Sequence, residues 1–175
     1  AETEGAAAIN RTIDETYGTI VREAQESMAG GVSLSCMYIT WETYQCGNVL
    51  SLIVSCGWGF DMNTHSVYLY DTTTGEQMTT AQLLETLQVE PETFLAAVRQ
   101  AAAERFDGKY AGIGGDTDEL VAERRAWTLS DENINLDVMT YADAAGNLYV
   151  YLPIGSIAGA ASYEEPLTLD LGAAG

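Results

Sequence analysis

Between residues 37 and 75 apolar and polar side chains alternate with a period of two, and a two-residue turn sets the register. Gly47-Asn48 suits a type II′ hairpin loop, with Gly at the position that needs positive φ. With that loop, Cys46 faces Val49. Met37, Ile39 and Trp41 then share a face with Leu50, Leu52, Val54, Cys56 and Trp58. Tyr38, Thr40, Glu42 and Tyr44 share the other face with Ser51, Ile53 and Ser55. One apolar and one mostly polar face predict an antiparallel sheet covered on one side. A slip of one residue would mix the two sets. Trp41 is therefore expected in the core, between sheet and helix. A third strand over 65–71 alternates His65, Val67, Leu69 with Ser66, Tyr68, Tyr70, and either set can face inward.

Upstream the period changes to that of a helix. Ile9, Ile13, Tyr17, Ile20, Val21, Ala24 and Met28 recur every three or four residues over 5–29, and Gly30-Gly31 ends the run. This stripe is expected to cover the apolar face of the hairpin. Gly18 inside it costs about 1 kcal/mol relative to Ala, so burial must carry the helix.

Downstream, the spacing of Thr79 and Gln82 is that of a capping box and opens a short helix with Leu83, Leu84 and Leu87. Glu90-Pro91-Glu92 opens a second, with Phe94, Leu95, Val98, Ala102 and Phe106 as its stripe and Gly108 at its end. Asp116 and Glu119 have capping spacing for a third that reaches Trp127. Strands are predicted through Ile134, Leu136 and Val138, over 148–152 up to Pro153, and over 167–171, with a turn at 144–147. Helix, three strands, helices and strands again define an α+β class. Its expected architecture is a single domain over residues 1–175: an antiparallel sheet packed on one face by the N-terminal amphipathic helix and further helices.

Charge narrows the partners. Seven basic side chains against 26 acidic ones give a formal net charge of −19. Such a charge repels nucleic acid and anionic membrane, and it fits a merely solvated surface of high solubility first, then a basic protein partner or an acidic extracellular surface. No apolar run is long enough to span a membrane, so no membrane insertion of this segment is expected.

Candidate chemistry is sparse. His65 is the single histidine, and it reads as a strand or loop residue rather than as part of a triad with Cys56 and Asp61. Cys36, Cys46 and Cys56 form no CxxC pair. In the hairpin register Cys36 faces Gly59, away from the face of Cys56, so no Cys36–Cys56 disulfide is expected. Residues 116–119 lack the ligand alternation of a calcium loop, and 112–115 lack the residues of a phosphate loop. Glu164-Glu165 is expected to face solvent. The reading is non-enzymatic: it assigns no catalytic, cofactor-binding or metal-binding residue, and it expects no cofactor.

Three ordered stretches carry a family resemblance. They are Gly47-Asn48-Val49-Leu50-Ser51-Leu52, then Tyr68-Leu69-Tyr70-Asp71 through Thr74-Gly75-Glu76 with Leu83-Leu84, then Gly146-Asn147-Leu148-Tyr149-Val150-Tyr151 with Ile157-Ala158-Gly159. In this order the chain resembles the extracytoplasmic domain shared by RsiV-type anti-sigma factors and PdaC-type peptidoglycan deacetylases. The resemblance implies an extracellular or cell-surface binding or sensing module of a bacterial envelope protein, mostly Gram-positive, whose partner in the receptors is lysozyme. That domain has a strand upstream of the first helix, and residues 1–175 start too late to contain it. The resemblance thus implies an unpaired sheet edge, to be filled by residues 167–171 or by a neighbouring copy. The alternative expectation is accordingly a self-assembling surface subunit, a homo-oligomer built through strand edges or termini.

Overall fold

The computed structural model describes residues 2–30, 36, 38–58, 63–113, 115, 117–158 and 161–172. Met37, Gly31, Gly59, Asp61, Gly114, Asp116 and Gly159, which enter the sequence-based expectations, lie outside that set. The fold is α+β with two antiparallel sheets rather than one. The chain divides into two compact units, residues 1–78 and 79–175.

In the first unit the helical run is α1 (Glu4–Ile13), a π-helical turn (Asp14–Gly18) and α2 (Thr19–Ala29). The sheet comes next as β1 (Tyr38–Cys46), β2 (Val49–Gly57), β3 (Asn63–Asp71) and β4 (Glu76–Met78), in that spatial order. Cys46 pairs with Val49 and Tyr38 with Gly57, so the register is the one the turn predicts, unbroken along all of β1. Gly47 sits at φ +58, the backbone conformation that the turn reserves for glycine.

The helical run covers the predicted face, displaced towards β3 and β4. Thr3 caps α1 and meets the Tyr70 hydroxyl at 2.9 Å, while the Gly5 amide donates to the Gly75 carbonyl at 3.2 Å. In the π turn, Tyr17 drops into the core, its hydroxyl 2.8 Å from Ser66 Oγ. Ile9, Tyr17, Cys36, Val54, Cys56 and Tyr68 form this core. The π turn inserts a residue and rotates α2 about its axis relative to α1, so Val21 and Met28 of the expected stripe are exposed. Trp41 is not in the core. It is 72% exposed, because its strand lies beyond the reach of α1 and not because its register is wrong. The other face is not left to solvent either: Val49, Ser51 and Ile53 of β2 and Leu69 of β3 are buried there.

The second unit holds α3 (Thr80–Thr86), α4 (Pro91–Lys109), α5 (Asp118–Thr128) and a sheet of β5 (Met139–Ala142), β6 (Leu148–Gly155) and β7 (Ser162–Thr168), with β6 central. Both halves of the Thr79–Gln82 capping box form, and Pro91 opens α4. Thr117 occupies the N-cap position of α5. Phe94, Val98, Ala102 and Phe106 bury the inner side of α4. The predicted strand through Ile134 and Leu136 does not form. Asn133 Nδ2 donates to the Trp127 carbonyl at 2.6 Å and Asn135 Nδ2 to the Glu132 carbonyl at 2.9 Å. These local bonds compete with a ladder and hold the segment in turns, although Ile134 and Val138 are still buried. β6 runs on through Pro153. That residue lies past the last β5–β6 pair, Met139–Tyr151, so β6 is paired there on the β7 side alone. The final strand is 162–168 rather than 167–171, and it pairs with β6, so it does not fill the edge of the first sheet.

Two glycines test the close approach of α1. A Cβ on Gly5 would lie 2.6 Å from the Gln77 nitrogen and from the Gly75 oxygen, both backbone atoms, whereas a Cβ on Gly108 in α4 would meet nothing within 4 Å. Gly5→Ala is expected to cost about 1–3 kcal/mol. Gly108→Ala should gain about 0.5–1 kcal/mol. Urea denaturation of the two variants against the parent chain checks the contrast.

Candidate functional site

The outer edge of β1 is the candidate binding surface of the first unit. In a two-residue hairpin the residues that flank the turn exchange ladder hydrogen bonds. With Cys46 and Val49 in that position, the bonds to β2 fall on Cys46, Tyr44, Glu42, Thr40 and Tyr38. The amides and carbonyls of Ile39, Trp41, Thr43 and Gln45 then point away from β2, and among the described residues no strand pairs with them.

This edge lacks the usual guards. It contains no Pro, no Lys and no bulge, and Glu42 is its single charge. The other edges differ. β7 carries Pro166 with Glu164 and Glu165, β5 has four residues, and β4 has three, held against α1. Within the first sheet, strand composition therefore leaves one long edge open to another strand.

An apolar cavity of about 210 Å³ lies inward of it, over the next two strands of the sheet. Ala6, Ile9 and Asn10 of α1 form its roof, and Leu50 and Leu52 of β2 with Tyr68 and Tyr70 of β3 form its floor. Leu50 and Leu52 are the cross-strand partners of Gln45 and Thr43, and Val54 is that of Trp41. The cavity floor thus continues onto the exposed face of β1, where the Trp41 ring stands. An unpaired backbone beside apolar side-chain pockets is the arrangement that accepts an extended peptide.

Glu165 and three tyrosines of the second sheet are engaged within the fold. Glu165, expected in solvent, is buried, and it accepts hydrogen bonds from Lys109 at 2.6 Å and from Arg105. Burial pushes its carboxyl upward, but the hydrogen bonds from Lys109 and Arg105 outweigh it and hold the group below its ordinary value. Tyr141, Tyr149 and Tyr151 stack along β5 and β6 with ring centroids 5.0 and 5.9 Å apart, a ladder that sequence spacing does not single out because it needs the strand pairing.

The sequence candidates are not brought together. His65 lies in β3 opposite Ser55, while Cys56 is opposite Thr64, so their side chains leave opposite faces of the sheet. Cys36 and Cys56 are not on opposite sides: their sulfurs are 3.1 Å apart in the core, although both are free thiols. Cys36 precedes β1 and so escapes the alternation that holds along the strand. Burial, then the hydrogen bond and charge of Cys36, push the Cys56 thiol up to about 12. Among the described residues no group of three or more His, Cys, Asp or Glu side chains could hold a metal ion. No helix of the described residues is long and apolar enough to cross a membrane. No family model matches the chain, and no curated protein matches it.

Two variants probe these assignments. Trp41→Ala should change stability by no more than about 0.5 kcal/mol, since the ring is largely in solvent, and chemical denaturation measures it. Glu165→Gln should cost about 1–2 kcal/mol at neutral pH. The folded Glu165 titrates low, so its contribution is complete above the ordinary carboxylate range and is lost as pH falls through the lower folded value. The stability difference between Glu165→Gln and the parent chain should therefore shrink on acidification.

Proposed function

We propose that this chain is a non-enzymatic binding module at the cell surface of a bacterium, which takes an extended segment of a basic protein partner onto the edge of β1. The observation that carries this reading is the nine-residue, unbulged, unguarded edge with an exposed tryptophan beside an apolar cavity. Added backbone hydrogen bonds along Ile39, Trp41, Thr43 and Gln45 would supply affinity, and Trp41 and the cavity would select side chains. The net charge of −19 favours a basic partner and speeds its encounter. The resemblance to RsiV- and PdaC-type domains supports an envelope location and makes lysozyme the first partner to try.

The same edge supports a second reading, self-assembly, because an open edge can pair with that of a second copy. Like charge opposes this, but at physiological salt the repulsion is screened beyond about 8 Å.

Thr43→Pro separates the readings from non-specific attraction. It removes an outward amide without touching the β1–β2 ladder. Lysozyme, titrated calorimetrically at physiological salt, should bind the parent chain and bind Thr43→Pro at least about tenfold more weakly. Equal binding by both would mean that charge alone attracts it and would remove the edge from the site. Sedimentation equilibrium distinguishes the alternative: oligomers that Thr43→Pro dissolves would favour self-assembly. A parent chain that stays monomeric and binds no lysozyme would overturn both.

A further inference from the structure

We propose that Cys36 and Cys56 are an oxidisable pair that closes into a disulfide, with Cys46 left as a free thiol. The sulfurs already lie 3.1 Å apart, enclosed by an apolar cluster that includes Ile9, Tyr17, Val54 and Tyr68. A disulfide needs about 2.05 Å, so the sulfurs must approach by about 1 Å. Cys36 can supply that movement. It stands before β1, outside the ladder that fixes Cys56 opposite Thr64. Cys46 cannot compete for either partner. It sits at the hairpin tip opposite Val49, whereas Cys56 pairs with Ile39, seven residues further along β1. At 3.3 Å per residue the separation is about 23 Å.

The chemistry balances with an external disulfide as oxidant. Cys36 retains slight exposure and Cys56 has none, so Cys36 is the point of entry. The Cys36 thiolate attacks one sulfur of the oxidant, forms a mixed disulfide and expels the first thiolate. The Cys56 thiolate then attacks the Cys36 sulfur, closes the internal bond and expels the second. Two protein thiols are oxidised, one disulfide is reduced to two thiols, and the two cysteine protons pass to the leaving thiolates. The product ties the segment before β1 to β2 beneath the helical run and closes the hairpin into a loop. This pairing is independent of what occupies the β1 edge, and it suits an oxidising compartment.

The full chain is equilibrated in a glutathione buffer with the reduced form in about tenfold excess over the oxidised, which leaves an isolated thiol reduced while an internal disulfide forms; it is then alkylated with iodoacetamide under denaturing conditions and analysed by mass. The expected product has lost about 2 Da and carries one alkyl group, on Cys46. Peptide mapping should link Cys36 to Cys56, and the oxidised form should melt about 5–10 °C higher, reversibly with dithiothreitol. Cys46→Ser should show the same mass loss with no alkylation. Three alkylated cysteines, a bond that includes Cys46, or a persistent glutathione adduct on Cys36 would each overturn the proposal.

Discussion

The turn at Gly47-Asn48 is the constraint on which the first unit depends. A two-residue loop permits one register between its strands, and side-chain alternation then sorts β1 and β2 onto two faces. Because β2 also pairs with β3 along its full length, it becomes a central strand with buried residues on both faces: Val54 and Cys56 on the helical side, Val49, Ser51 and Ile53 on the other. The helical run can only dock where that register puts the apolar surface. It does so through three local devices, the Gly5 approach to the β3–β4 turn, the Thr3–Tyr70 contact and the Tyr17 anchor.

The same docking creates the candidate site. A helix held against β3 and β4 cannot also cover β1. The width that it leaves uncovered includes Trp41, and α1 itself roofs the cavity above Leu50 and Leu52. An edge strand rich in Thr, Tyr and Trp is a good ladder former and a poor barrier to a second strand. Surface charge works at longer range and in the opposite sense against a second copy, which is why the partner proposed for this edge is basic.

The second unit solves a different problem with polar chemistry. Gly155 lets α5 come close, since a Cβ there would lie 2.9 Å from the Arg124 carbonyl oxygen. The gap is closed by Thr128 Oγ1, which accepts from the Gly155 amide at 2.9 Å, and by the Tyr110 hydroxyl, which donates to the Gly155 carbonyl at 3.0 Å. A buried carboxylate at Glu165 is tolerated because two cations reach it from one face of α4, spaced four residues apart.

Local grammar is legible in the sequence wherever the signal is short-range. The hairpin register, the Thr79–Gln82 capping box, Pro91 at the start of α4 and the α+β order all come from residues within a few positions of one another. The departures for Trp41 and Glu165 lie where distance decides. Trp41 has the pattern of a core residue, and only the lateral position of α1 leaves it in solvent. Alternation carried back to Cys36 presumes a strand that begins only two residues later, and so puts its side chain on the wrong side. Ile134 and Leu136 alternate as a strand would, but two asparagines satisfy the neighbouring backbone in turns. Glu165 has the sequence context of a solvated pair, and α4 brings Arg105 and Lys109 to it. For Trp41 and Glu165 sequence set what the residue could do, and tertiary structure decided which neighbour arrived, because a strand's period specifies a face but not what covers it.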